Sequence, residues 1–279
     1  MGIDLVFNSR ERVAALTYLS PFQRLPDGRP RIPDDLLRRL ALVTNEEAWG
    51  VLERGHGYHF QFEGGWVRLH PNQVLVGRAL TAAFLPQRPD LDEAVNRAGA
   101  ERGWPAGKQN TWVIDSTQEG DVLVVDLFGK VRDGTVIGDN LATALDARTQ
   151  GGGLVVDGGI RDSLRMGLIQ RLGVFSRGVD PSAIYDVTLS QVNGPIRIGG
   201  AVVLPGDAVL ATPAGVTFIP SHLVEEVVIR SEDVRQRDVF GKARLAEGRY
   251  TSGQIDRSEW EPAIEADYQA WAAERSATA

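Results

Sequence analysis

Three residues of one short stretch carry side chains that could do chemistry together: Asp139, Arg161 and Asp162, within GDNLATALDARTQGGGLVVDGGIRD at 138–162. A guanidinium presents a planar two-pronged donor that matches a carboxylate. A carboxylate presents a hard oxygen to Mg2+ or Mn2+, ions that keep several waters beside one or two such ligands. The Arg–Asp pair follows the apolar run LVVD and a glycine pair, which predicts a buried strand ending at Asp157, a glycine turn, and a helix from Asp162 to Leu172 with Leu164, Leu168, Ile169 and Leu172 inside. Asp139, behind Gly138, opens a second predicted helix. Free N–H groups at helix starts favour anions. If the two junctions adjoin, one carboxylate can bind the metal while the other holds a water on it, and the amides of Asn140 and Leu141 point at a substrate. A plainer reading fits the same residues: helix-start aspartates balancing the dipole, and a surface ion pair. The residues alone leave both readings open.

Further polar groups could join such a site. Lys108 and Asn110 precede the strand GDVLVVDLFG, and Lys130 follows it. His56 and His59, in HGYH, have a spacing that could ligate a metal, but no third ligand lies near them. His70 and His222 stand alone, the latter at a predicted helix start. The glycines at 151–153 lack the lysine and Ser/Thr of a phosphate-binding loop, and no nucleophile elbow is present.

The elements that must position these groups are those of an α/β chain. Pro33-Asp34-Asp35 starts a helix with Leu36, Leu37, Leu40 and Leu42 on its apolar side, and Thr44 with Glu47 forms a capping box for a second helix reaching about Arg54. Strand patterns occupy 64–86, 120–129 and 154–157, with a polar loop and short helix at 87–110. Short strands follow at 174–176, 195–198, 201–204, 207–211 and 215–219. Ser221 caps a helix reaching about Arg230. Residues 1–33, Pro-rich around PFQRLPDGRPRIP, read as an arm. Residues 231–279 form a charged, partly helical extension in which Ile264, Tyr268, Trp260 and Trp271 suggest a helix that docks on a neighbouring subunit, where an acid of the tail could complete a metal site.

Composition narrows the chemistry. There are 279 residues and no cysteine, which excludes disulfides and thiolate nucleophiles. A formal charge of −7 argues against a nucleic-acid partner. Lys108, Lys130 and Lys242 are the only lysines, so arginine carries the cationic chemistry. No apolar run is long enough to span a bilayer and no leader pattern is visible, so the expectation is a cytoplasmic protein without a membrane partner.

The ordered segments GDVLVVD, GDNLATAL, LVVDGGIRD, VNGPIRIGGAVVLPGDAVL and AGVTFIPSHLVEEV resemble the RraA-like family, with LLRRLALVTNEEAWGVLE and VLVGRALTAAFLP similar to its opening helices and first strand. That family includes 4-hydroxy-4-methyl-2-oxoglutarate / 4-carboxy-4-hydroxy-2-oxoadipate aldolases and the RraA regulators of RNase E. The resemblance covers about residues 34–230 and implies a swivelling β/β/α-type single domain flanked by N- and C-terminal extensions. It implies trimers or hexamers with active sites at subunit interfaces, and a small-molecule carboxylate as substrate.

Carried over residue by residue, the resemblance makes Asp162 the ligand of Mg2+ or Mn2+ and Arg161 the anchor of a 2-oxo acid carboxylate. Asp139 would orient metal-bound water, and Gly138, Asn140 and Leu141 would line the substrate. The implied function is a metal-dependent lyase, by retro-aldol cleavage to pyruvate or oxaloacetate decarboxylation. The alternatives are a sugar-acid dehydratase-type lyase and a non-catalytic regulator of an RNase. The chain departs from the family pattern in three places: one extra residue lies between Asp139 and Arg161, Arg165 stands where the family has an acid, and Thr212-Pro213 replaces a later acid.

Overall fold

Alternation in DVLVVD decides the layering. Leu123 and Val125 face one side of a sheet and Val122 and Val124 the other, and all four are fully or almost fully buried, so both faces of this strand must be covered. The computed structural model describes residues 5–276 and divides into two units, Met1–Val227 and Val228–Ala279.

The first unit opens with α1 (Arg10–Leu16), α2 (Asp34–Leu40) and α3 (Asn45–Gly50), the last continuing into a π-helical turn at Val51–Gly55. Thr44 and Glu47 make the reciprocal capping box at the start of α3. Then come β1 (Phe62–Glu63), β2 (Val67–Arg68), β3 (Leu75–Pro86), α4 (Pro89–Glu101), α5 (Gln109–Asp115), β4 (Asp121–Ile137), α6 (Asp139–Thr149), β5 (Gly153–Ile160) and α7 (Ser163–Met166). β6 (Gly173–Val179), β7 (Val187–Val192), β8 (Ile196–Ile198), β9 (Ala201–Val203), β10 (Ala208–Thr212) and β11 (Gly215–Ile219) complete the strands. A 3-10 turn at Ser221–Leu223 leads into α8 (Val224–Ala246), which runs on into the second unit.

The main sheet is mixed, in the order β1-β11-β10-β3-β4-β5-β6-β2, with β7 also paired to β3. Its centre, β3-β4-β5-β6, is parallel. One face packs on Val95, Trp112, Ala142, Leu145 and Met166 of the helices. The other is covered by Ile196, Ile198, Ala201 and Val203 of the β8–β9 hairpin. Hairpin, sheet and helices give three layers, the mixed α/β architecture expected. The segment before residue 34 is packed: Ile32 and Val13 are fully buried, and the buried Arg29 grips Asp121 through two hydrogen bonds of 2.9 and 2.8 Å.

Several local expectations are corrected. The polar stretch 87–110 holds the 13-residue helix α4, begun by Pro89 at its first position. β7 was not expected at all, because VTLSQV is short and only half apolar. The glycine pair Gly158-Gly159 lies inside β5 rather than in a turn after it. Residues 127–134 of β4 leave the regular ladder and press on these positions: a Cβ on Gly158 would stand 2.8 Å from Leu127 Cδ2, and one on Gly159 2.7 Å from the Val131 carbonyl oxygen. The expected helix 162–172 is a single turn, α7, so Leu164 and Leu168 point outward at 91% and 79% exposure while Leu172 is buried. Leu42, beyond the end of α2, is likewise exposed.

The second unit contains the rest of α8, α9 (Ser252–Ile255) and α10 (Pro262–Ser276). The helix from Val224 runs 23 residues, well past Arg230. Phe240 of α8 is buried with Ile264 and Tyr268 of α10, and Trp260 and Trp271 pack against them. The apolar face of the tail helix is thus filled from its own unit instead of being free for a neighbour. Two tail acids are also engaged there, Glu265 with Arg237 and Asp267 with Arg244.

Candidate active site

β4 and β5 are adjacent and parallel, and their registers place Ile137 opposite Ile160. The residues that follow each strand must therefore meet. Gly138 caps the N-terminus of α6, and Arg161-Asp162 leads into α7. The Arg161 amide donates to the Ile137 carbonyl at 3.1 Å and ties the two junctions together. The approach is close: a Cβ on Gly138 would lie 2.6 Å from Asp162 Oδ2 and 2.9 Å from Arg161 Nε. Only glycine leaves room here for the charged pair.

Asp162 has φ 55° and ψ 31°, left-handed backbone that non-glycine residues rarely adopt. It precedes α7 yet its side chain makes no capping hydrogen bond, so the plain N-cap reading does not describe it. Its carboxylate stands 3.7 Å from Arg161 Nε, and both side chains are partly open to solvent. Strain at a residue whose side chain does not cap its own helix is a common mark of a functional position.

Asp139 is the first residue of α6, not its cap. Its Oδ1 accepts the Asn140 amide at 2.9 Å, and its Oδ2 lies 3.5 Å from Arg165 Nη1. The Asn140 amide is therefore directed to Asp139 rather than left for a ligand. Among the described residues the Leu141 amide has no hydrogen-bond partner, which leaves it open to an anion at the start of this 11-residue helix. The role of Arg165 had no signal in the sequence beyond its position: one turn of α7 carries it back over Asp139.

The lower-ranked candidates separate. Asn110 donates to the Val136 carbonyl at 2.9 Å and so buttresses the end of β4 next to Gly138. Lys108 is exposed at the start of α5, with no ion-pair partner among the described residues. Lys130 donates to the Tyr185 carbonyl at 2.7 Å, across the irregular part of β4, and is not brought to the Arg161–Asp162 pair by any contact. His56 pairs with Glu226 at 2.9 Å and His59 with Glu53 at 3.6 Å, so the HGYH histidines face separate acids instead of a shared ion. His70 Nε2 meets the Ile169 carbonyl at 3.1 Å. Among the described residues no group of three His, Cys, Asp or Glu side chains converges as a metal-binding cluster.

A second charged group went unnoticed in the sequence. Asp126 and Asp157 lie opposite one another on β4 and β5. Arg177 holds Asp157 at 2.6 Å and reaches Glu63 at 3.4 Å, its guanidinium lying over the Trp66 ring. Burial pushes the Asp126 carboxyl above the ordinary range, and the neighbouring Asp157 charge adds to that.

The donor set at Gly138, Asp139, Arg161 and Asp162 fits a hard divalent cation of the kind that keeps most of its water. It offers one carboxylate held free of capping, a second across the junction, and a glycine cradle that a Cβ would fill.

Comparison with known proteins gives the context. A family model described as Aldolase/RraA, RraA-like, matches residues 51–218. A protein of Halalkalibacterium halodurans, provisionally named a 4-hydroxy-4-methyl-2-oxoglutarate aldolase, is 35% identical over 126 residues, 45% of this chain and 58% of that one. Protein DlpA of Legionella pneumophila is 29% identical over 192 residues, 67% of this chain and 28% of DlpA. This chain thus spans less than two thirds of the length of both relatives. Among solved structures, Streptomyces coelicolor RraAS2, described as an unusual member of the RNase ES inhibitor RraA protein family, aligns with a TM-score of 0.65 at 28% identity, over 77% of this chain and 100% of that one.

Proposed function

Since this chain belongs to the RraA-like family, we propose that it is a divalent-metal-dependent lyase that cleaves a 2-oxo acid carrying a second carboxylate, by retro-aldol scission or decarboxylation. The observation that carries this reading is the wedge at Gly138, which sets Arg161, Asp162 and the start of α6 against one another. Asp162 would hold Mg2+ or Mn2+, with Asp139 across the junction. A cation there supplies Lewis-acid polarisation of the 2-oxo and carboxylate oxygens.

The remaining work falls to the chain. Arg161 binds the carboxylate next to the 2-oxo group, and the Leu141 amide adds a donor from the positive end of α6. When the C3–C4 bond of a 4-hydroxy-2-oxo acid breaks, its electron pair stays on the fragment that becomes pyruvate. The 4-hydroxyl gives up a proton and C3 gains one. Asp139 would take that proton through water. No lysine Schiff base is needed for this step, and the Lys130 ammonium is engaged with the Tyr185 carbonyl.

Charge balance favours a diacid. Asp139 and Asp162 cancel Arg161 and Arg165, so a divalent cation leaves the site at plus two and a dianion restores neutrality. Leu164 on α7 and Leu168 just beyond it, both outward-facing, suit coverage by a second copy of the chain, as a trimeric or hexameric assembly with interfacial sites requires.

The test is pyruvate formation from 4-hydroxy-4-methyl-2-oxoglutarate and from oxaloacetate, with Mg2+ or Mn2+ and then with EDTA. Turnover lost with EDTA and in Asp162→Asn supports the reading. Absence of turnover with both acids sinks it. The likeness to S. coelicolor RraAS2 supports a second reading, a protein-binding regulator of an RNase. Inhibition of an RNase E-type enzyme that is untouched by Asp162→Asn would favour that one.

A further inference from the structure

A cavity of the first unit lies outside the Asp139–Asp162 site. It has a volume of about 400 Å³ and is walled by the end of α1, the 57–61 segment, β9 and the 3-10 turn at 221–223; it shares no residue with 138–165. Cavities of this size take small organic molecules. Its wall is rich in rings: Tyr18, Tyr58, Phe60, His59 and His222. Tyr18 and Phe60 are 75% and 70% exposed, a costly display for side chains that could have been buried.

The charges of the cavity are one-sided. No arginine or lysine lines it, and its one carboxylate, Asp207, is almost fully buried. Asp207 Oδ2 accepts the Leu204 amide at 2.8 Å, but no basic side chain among the described residues pairs with it. The other deeply buried acids of this unit, Asp121 and Asp157, each have an arginine. Lacking one, the Asp207 carboxyl is pushed up to about 7 by burial, against the pull of the Leu204 and Ser221 amides. Burial and the nearby His56 lower the His222 pKa, which disfavours a positive charge on this imidazole.

We propose that this cavity is a binding site for a small organic cation, an ammonium or quaternary ammonium, received by the rings of Tyr18, Tyr58 and Phe60 with Asp207 beneath them. Ring faces attract a cation through their quadrupole, and a desolvated carboxylate gains most from a positive partner. An anion, the ligand class proposed for the Asp139–Asp162 site, is disfavoured here by the same carboxylate. The two sites are therefore complementary in charge, and this inference stands whether or not the lyase reading does.

Choline and its neutral isostere 3,3-dimethylbutan-1-ol, titrated into the whole protein and followed by NMR and calorimetry, test the proposal. The expected result is choline binding at least tenfold tighter than the isostere at pH 8. Phe60→Ala and Asp207→Asn should each weaken choline tenfold or more. Val202→Lys, a change at an exposed wall position of β9, should abolish binding while leaving the circular dichroism spectrum unaltered; it keeps the test open should Asp207→Asn fail to fold. Equal affinity for choline and the isostere, no binding of choline at 10 mM, or full choline binding by Val202→Lys would each overturn the proposal.

Discussion

Gly138→Ala isolates the geometry on which the proposed site depends. The new methyl would lie 2.6 Å from Asp162 Oδ2 and 2.9 Å from Arg161 Nε. Ordinary non-bonded contact is about 3.5 Å, so the carboxylate must yield by roughly 0.9 Å and the guanidinium by roughly 0.6 Å. Both side chains are partly exposed and can swing away, so the fold has an easy route of relief. The backbone at Gly138, φ −123° and ψ −170°, is open to alanine, and no side-chain cap is lost. Replacing an N-cap glycine by alanine costs on the order of 0.5 kcal/mol, a Tm shift of about 1–2 °C in a chain of this size. Misplacing a reacting group by about 1 Å costs up to ~100-fold in rate. The expected outcome is a 10–100-fold fall in kcat/KM for pyruvate release, about 1.4–2.7 kcal/mol of transition-state stabilisation, together with weaker Mn2+ binding by calorimetry. Gly167→Ala is the control, because its Cβ meets only the Ser163 and Leu164 carbonyl oxygens at 3.3 and 3.5 Å. If Gly138→Ala keeps kcat/KM within twofold of the parent and binds Mn2+ equally well, the crowding at this junction has no bearing on catalysis. A Tm loss above 10 °C would instead make Gly138 a folding residue.

Asp162→Gly should separate stability from function: the left-handed conformation becomes strain-free, so Tm should hold or rise by the equivalent of about 1 kcal/mol while Mn2+ affinity and turnover are lost. A large fall in Tm would show that the Asp162 carboxylate has a structural task. Arg165→Met should act on selectivity, cutting the preference for 2-oxoglutarate over 2-oxobutyrate by about tenfold in Mg2+-dependent binding, since a charge-assisted bond of about 1.5 kcal/mol is removed; Arg165→Lys should restore part of it, and an unchanged ratio would refute the role given to this arginine. Asp207 predicts a pH effect of uncommon sign. Its folded pKa lies above the unfolded value, so between about pH 4 and pH 7 the folded state holds the extra proton and stability falls as pH rises. About three pH units at about 1.4 kcal/mol each set an upper bound near 4 kcal/mol, and urea titrations of the parent and Asp207→Asn should diverge over that window; parallel curves would mean Asp207 ionises normally.

The layering was legible because burial imposes alternation. DVLVVD and LVVD, covered on both faces, can hardly be anything but central strands, and the Thr44–Glu47 box names its own helix. What escaped notice depended on packing between segments distant in sequence. VTLSQV becomes β7 only because β3 offers it an edge, and DGG stays extended because the irregular run of β4 leaves no room for side chains above it. The same distinction holds at the site. Asp139, Arg161 and Asp162 are visible as types, but whether they meet depends on register, here Ile137 opposite Ile160.

Arg165 shows how a local departure from a family pattern acquires meaning from geometry. Read along the chain, it is an acid missing from the family pattern, which bears on the substrate more than on the metal. In the fold, a single helical turn after Asp162 returns its guanidinium to Asp139, so the loss of one negative charge is coupled to the arrival of a positive one above the second carboxylate. On the proposed reading, a site altered in this way keeps Arg161 and gains a second guanidinium beside Asp139. It should bind a metal more weakly than a site with an acid at this position, and hold a dianionic substrate more firmly. The order of binding then follows: Mn2+ affinity of the free protein should rise on Arg165→Glu, whereas in the parent it should rise only when a 2-oxo diacid is added first. Equal Mn2+ affinity with and without 2-oxoglutarate would break this link between the arginine, the substrate charge and the metal.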